Sequence, residues 1–118
     1  MITIKFKGQQ LSNGDWIVGD LIHLVDGVYI SNDNGNNMAQ VNPDTVCQFT
    51  GFLDKSGKEI YEGDILKVAG LGKKIEVRFV RGGFAFLWNG DLDDEAATNV
   101  PTQKWAEVIG NIHDNPKL

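Results

Sequence analysis

Apolar and polar residues alternate with a period of two through much of this chain, and no other feature limits its fold as strongly. A β-strand sends successive side chains to opposite faces, whereas a helix repeats every 3.6 residues. Ile75, Val77 and Phe79 interleave with Lys74, Glu76 and Arg78. Arg81-Gly82-Gly83 then turns the chain, and residues 84–88 return, which makes this the best hairpin in the sequence. At the start, Ile2, Ile4 and Phe6 alternate with Thr3, Lys5 and Lys7 and predict a half-buried strand. No stretch sustains apolar residues at i, i+3, i+4 and i+7, so the expected class is all-β, built of short antiparallel strands.

The turn residues support that class. The 14 glycines among 118 residues make up about 12%, against an average near 7%. Asn13-Gly14 and Asp26-Gly27 are hairpin turns, and Asn42-Pro43-Asp44 and Glu62-Gly63-Asp64 are further turns. Between them, residues 16–18, 21–25, 28–30 and 65–68 read as strands, with Gly19-Asp20 as punctuation. Residues 31–37 (SNDNGNN) read as a polar loop, and residues 45–52 as a strand or a short irregular segment. Residues 91–98 are a short helix or an acidic loop. Residues 104–112 form the last strand, with Trp105, Val108 and Ile112 as core candidates. The expected architecture is one domain over residues 1–118 with two sub-layers, 1–50 and 51–118. The C-terminal half is read as a small SH3-like barrel and the N-terminal half as a β-hairpin layer packed with it.

Composition narrows the function classes. The net charge is −5 and the pI about 4.8. Nucleic-acid binders carry a basic balance or a basic face, so nucleic acid is disfavoured as the main ligand, as is an anionic membrane. Cys47 is the single cysteine, which rules out an internal disulfide and fits a reducing compartment. The N-terminus lacks a signal-peptide apolar run, and nothing approaches the ~18 apolar residues of a membrane span. The expected location is the cytoplasm.

Residues capable of chemistry are sparse. His23 and His113 are 90 positions apart, so only the fold could unite them, and their bland reading is structural. Cys47 has no histidine nearby in sequence and reads as a small buried residue. Asp91, Asp93, Asp94 and Glu95 lack calcium-loop spacing and read as a solvated acidic stretch or a docking surface for a basic partner. The segment from Gly70 to Lys74 lacks the spacing of a phosphate-binding loop. No catalytic residue, cofactor or metal is expected. Lys67, Lys73, Lys74, Arg78 and Arg81 form a basic strip, with Phe84 or Trp88 as stacking partners. That combination can bind single strands, and its bland reading is the wet face of a hairpin interrupted by Glu76.

Three segments together carry a family pattern. They are VNPDTV at 41–46 with QFTG at 48–51, then DKSGKEIYEGDI at 54–65, and EVIGNIHDNP at 107–116. With GDWIVGDLI at 14–22, they resemble the YopX family of phage and prophage proteins over nearly the whole chain. The resemblance implies a β-rich fold, a phage or prophage origin in a bacterial host, and self-association. It implies no enzymatic activity, cofactor or defined ligand. The motif loop has its own physical reading. Asp54 and Ser56 can bond local backbone, Gly57 permits positive φ, and Ile60 and Tyr61 can anchor the loop. Asp54, Lys55, Lys58 and Tyr61 are therefore candidate interaction residues, weighed against a purely structural corner.

The leading expectation is a non-enzymatic accessory protein acting through contacts with a host or phage protein. The alternative is a nucleic-acid-binding small β-barrel using residues 67–81, and an enzyme has no positive support. Three Trp, six Phe and two Tyr are many for a domain of this size, and uncovered aromatics mark interfaces. The terminal strand at residues 2–6 is the expected edge for pairing with another copy.

Overall fold

A computed structural model describes residues 3–68, 74–80, 82–88 and 105–114. Ten β-strands run through them, all paired antiparallel. The all-β expectation holds in two antiparallel sheets. The chain divides into two compact units, Met1–Phe49 and Thr50–Leu118. Among the described residues no helix is long and apolar enough to cross a membrane.

The first unit holds β1 (Phe6–Gln9), β2 (Trp16–Leu24), β3 (Gly27–Asn32), β4 (Asn37–Val41) and the start of β5 (Cys47–Leu53). Its strand order is β4-β3-β2-β1-β5. The N-terminal strand expected at residues 2–7 starts later and is no edge. Phe6 to Gln9 pair with Gly19 to Trp16 on one flank, and Phe6 and Lys7 pair with Gln48 and Cys47 on the other. Both flanks of its backbone are thus occupied. Ile4, read as buried, is 63% exposed, and Ile2 lies outside the described residues.

Gly19-Asp20 does not interrupt β2. It marks where the strand changes partner, from β1 over Trp16 to Gly19 to β3 over Asp20 to Leu24. A side chain at Gly19 would run into the Ser31 carbonyl oxygen, so glycine is needed for β3 to lie close at that switch. The polar loop read at residues 31–37 is also shorter than expected. β3 continues to Asn32 and β4 begins at Asn37, around a 3₁₀ turn at Asp33–Gly35. Asp33 and Asn34 both take positive φ there, which Asn and Asp tolerate better than most residues.

Ile17, Ile30 and Val41 form the buried centre of this unit, and Phe6, Leu21, Val28, Ala39 and Val46 rim it. The strands curl around that centre until the end of β1 meets β4, where Gln10 faces Val41. Leu11 N–H donates to Gln40 O and Asn42 N–H donates to Gln9 O on either side of that pair.

The second unit holds the end of β5, β6 (Glu59–Tyr61), β7 (Asp64–Val68), β8 (Lys74–Val80), β9 (Gly83–Trp88) and β10 (Ala106–Asn111). The hairpin read at residues 74–88 is present as β8 and β9, with Val77 opposite Phe86 and Phe79 opposite Phe84. The order β10-β7-β8-β9 has two ends, so among the described residues this sheet is open rather than a closed barrel. Ile60, Leu66, Val68, Ile75, Val77, Phe86 and Ala106 make the core, with Val108 packed against it.

Of the core candidates in the last strand, only Val108 reaches that core. Ala106 enters it opposite Val68, and Trp105, one residue earlier and outside the strand, is 47% exposed. A bulge between Val108 and Gly110 then shifts the register, so Asn111 rather than Ile112 is buried.

Candidate functional site

The segment DKSGK folds as the turn its residues predict. Asp54 Oδ1 accepts hydrogen bonds from the backbone N–H of Ser56 at 2.8 Å and of Lys58 at 2.9 Å. Asp54 N–H donates to Lys58 O, and Gly57 N–H donates to Asp54 O. Gly57 sits at φ 82°, in the left-handed region that the turn requires. The side chain then does something its local sequence does not reveal. Asp54 Oδ2 accepts from Val108 N–H at 3.0 Å, 54 residues downstream. Lys55 N–H adds a bond to Ala106 O. The loop therefore lies along the outer flank of β10 and occupies its backbone groups.

Asp54 is 3% exposed. Burial opposes ionisation, but the three N–H donors, from Val108, Lys58 and Ser56, and the Lys58 charge hold its carboxyl below the usual carboxylate range. A carboxylate bonded in this way has its lone pairs directed at backbone and is poorly placed to take a proton from a substrate.

The remaining loop candidates divide into inside and outside. Tyr61 is buried, and its hydroxyl donates to Glu59 Oε1 at 3.1 Å. Burial first, then the Glu59 and Asp64 carboxylates, push that phenol well above its ordinary pKa. Asp64 is also buried and accepts from Tyr61 N–H. Between them Gly63 N–H donates to Val77 O and Gly63 O accepts from Ile112 N–H, so this turn is tied to β8 and to the chain just after β10. Lys55 and Lys58 are exposed. Lys55 Nζ lies 3.6 Å from Glu107 Oε2, with both side chains about half exposed. Of the four residues, Asp54 and Tyr61 are thus built into the fold, and Lys55 and Lys58 face solvent.

The basic strip is brought together only in part. Lys67 and Lys74 are exposed and lie directly opposite each other on β7 and β8. Glu107 is the neighbour of Lys67 on its other side. Arg78 Nε donates to the Glu76 carboxylate on the same strand, which neutralises it locally. Lys73 and Arg81 lie outside the described residues. Phe84 pairs across the hairpin with Phe79, ring centroids 5.1 Å apart and edge to face. Phe79 differs by an odd number of positions from Lys74 and Arg78, so this aromatic pair lies on the opposite face of the hairpin from the cations. A single-strand platform of these cations with Phe84 as the stacking ring is not assembled, and the side chain of Trp88, the other stacking candidate, lies outside the described residues.

Other candidates are placed as follows. Cys47 is buried, and its thiol donates to Thr45 O at 3.1 Å. His23 is exposed on β2, and His113 N–H donates to Asn111 Oδ1 in the turn after β10. Among the described residues no group of three or more His, Cys, Asp or Glu is arranged to hold a metal ion. The acidic residues 91–95 lie outside them. Sequence reasoning missed Val108 and Glu107 as partners of the loop, because the contacts join residues more than 50 positions apart.

Comparison with known proteins gives one family and one fold. A family model described as YopX protein matches residues 4–118. A crystal structure of protein EF1440 from Enterococcus faecalis is similar, with a TM-score of 0.59 and 23% sequence identity. The match covers 99% of this chain and 98% of that one. At that identity the likeness speaks for the fold alone. No curated protein matches the sequence.

Proposed function

The chain belongs to the YopX family, and from that premise we propose that it is a non-enzymatic phage or prophage accessory protein that works by binding a host or phage protein. The observation that carries this reading is the division of the motif loop. Its buried half spends Asp54 and Tyr61 on the fold, and its outer half presents Lys55 and Lys58 from a backbone fixed to β10. A loop held rigid by its scaffold presents side chains at little entropic cost, which suits recognition. Two cations there fit an acidic partner surface.

A pull-down from a bacterial host lysate, read by mass spectrometry, tests it. The wild-type chain is expected to retain a partner that the Lys55→Glu, Lys58→Glu variant loses. Equal retention by both would remove the loop from the interface, and capture of nothing by either would count against the reading as a whole. Self-association and closure of the C-terminal strands toward an SH3-like barrel belong to the same proposal. Half-exposed Phe52 and Phe79 are the apolar surface that a second copy would cover.

One observation favours nucleic acid as a second reading, the cross-strand pair Lys67 and Lys74. Binding of single-stranded DNA that falls steeply with salt and disappears in a Lys67→Glu, Lys74→Glu variant would promote it above the first.

A further inference from the structure

We propose that the outer edge of β4 is a binding site for an extended, uncharged peptide segment, which adds to the sheet as a further strand. The site lies in the first unit and is separate from the Lys55–Lys58 surface. Backbone groups of successive residues in an antiparallel strand point alternately to its two flanks. Gln40 O accepts from Leu11 N–H, so Gln40 directs its backbone groups away from β3. Met38, two residues earlier, directs its N–H and C=O the same way. Among the described residues neither group has a hydrogen-bond partner on that flank.

The reason lies in the neighbouring chain. Leaving β1, it pairs with the C-terminal end of β4 through Gln10 and Leu11. It then turns back, with Gly14 N–H donating to Gln10 O, and starts β2. The position alongside Met38 is left open. A cavity of about 560 Å³ occupies that flank, lined by Leu11, Ser12, Asn37, Met38 and Gln40 among others. Leu11 is 59% and Met38 50% exposed, so the cavity has apolar lips over a backbone floor.

Beyond the end covered by Gln10 and Leu11, β4 lacks the features that protect an edge. Asn37-Met38-Ala39-Gln40-Val41 contains no charge and no proline. The outer flank of β10, by contrast, is covered by the Asp54 loop. An exposed edge with side-chain pockets is the setting in which peptides bind by strand addition, main-chain bonds giving affinity and alternate side chains giving selectivity. The neutral lining selects an uncharged segment, and the two apolar lips select apolar side chains at alternate positions. A second copy fits less well. In each copy Leu11 already fills the place opposite Gln40, so two β4 strands related by a two-fold axis would meet through their own turns at residues 11–13.

Amide hydrogen exchange followed by NMR on the full chain tests the site. The probe is an end-capped seven-residue peptide of alternating threonine and valine. In the free protein the Met38 amide is expected to exchange at least about tenfold faster than that of Ala39, which is bonded to β3. At about 1 mM peptide it is expected to slow by about tenfold. No protection of Met38 at that concentration overturns the proposal. So does a Met38 amide already protected in a protein of doubled mass, which would make the occupant a second copy.

Met38→Pro removes only an outward N–H, so the fold is expected to survive and the peptide-induced shifts of the neighbouring Leu11 and Asn37 amide signals to vanish. Retained shifts would overturn the proposal. Leu11→Asp leaves the backbone edge intact, removes one lip, and is expected to weaken binding about tenfold; unchanged binding would overturn the assignment of that lip. Binding that fails in the Lys55→Glu, Lys58→Glu variant would place the peptide at the loop instead.

Discussion

The two units solve the same problem of a small β core in different ways. The first surrounds three buried aliphatic residues, Ile17, Ile30 and Val41, with a rim of half-buried ones, and it curls its strands tightly over them. The second buries seven residues from five strands and also sinks two carboxylates, Asp54 and Asp64, into its turns as acceptors for backbone N–H groups. A narrow core needs close backbone approach, and glycine supplies it. A Cβ at Gly8 would lie 3.1 Å from Val41 Cβ and 3.2 Å from Ile30 Cδ1. A wider core tolerates loops that cross over it, provided that their buried polar groups are bonded. The difference teaches that the familiar motif at residues 54–65 is a structural joint before it is anything else.

The largest expected effects lie in the cores, and chemical denaturation measures them. Leu66→Ala should cost about 3–5 kcal/mol, because the residues around Leu66 are buried and cannot collapse into the space left behind. Ile30→Ala should fall near the low end of the range, about 2–3 kcal/mol, because its rim is half-buried and can relax. Equal costs would break the comparison.

The next effect tests the carboxylate joint. Asp54→Asn replaces one of the two accepting oxygens with an NH2 donor, which leaves either the Val108 N–H or the Ser56 and Lys58 N–H groups without an acceptor, and should cost about 1–3 kcal/mol. The folded chain lowers the pKa of this carboxyl. Its contribution is therefore complete above the unfolded value of about 3.9 and is lost as pH falls through the lower folded value. Stability measured from pH 6 down to pH 2 should show that acid-side loss in the wild type and a shallower one in the Asn variant. Parallel curves would show that Asp54 does not act through its charge.

Gly8→Ala sharpens the comparison from the other side. The contacts at 3.1 and 3.2 Å are tight but not prohibitive, so overpacking should cost about 1–2 kcal/mol. A neutral or stabilising result would mean that the first core is looser than its distances imply. Lys55→Ala should have the smallest effect, within about 0.5 kcal/mol, since its ion pair with Glu107 is half exposed. A stability loss above 1 kcal/mol would make Lys55 part of the joint rather than of the outer surface.

Much of the second unit was legible in the sequence. The alternation at Ile75, Val77 and Phe79 sets both strand and face, with Ile75 and Val77 entering the core and Phe79 left half exposed on the same side. Glu62-Gly63-Asp64 and Asp54 to Gly57 announce their turns through local chemistry. The first unit was harder to read. Ile4 continues the pattern of Phe6, yet among the described residues the ladder begins only at Phe6, where partner strands exist. Gly19 looks like punctuation but is the point where β2 exchanges one neighbour for another. β4 carries no strong strand pattern, since Asn37-Met38-Ala39-Gln40-Val41 does not alternate cleanly between apolar and polar residues, and its own sequence does not mark it as an edge. The loop site was half legible: its residues were visible, but its partner was not.

By itself the sequence determined the class, most of the turn positions, the phase of the best strands and the family. The first three rest on short-range chemistry or on a pattern repeated every two residues, and the family rests on the resemblance of the motif segments. Only the tertiary structure decided which strands pair and which edge is left open. It also decided that Asp54 bonds Val108 and that Lys74 and Arg78 share no face with the Phe79–Phe84 pair. Those outcomes depend on registers between residues tens of positions apart, and a register is set by the packing of all the strands together rather than by any one of them.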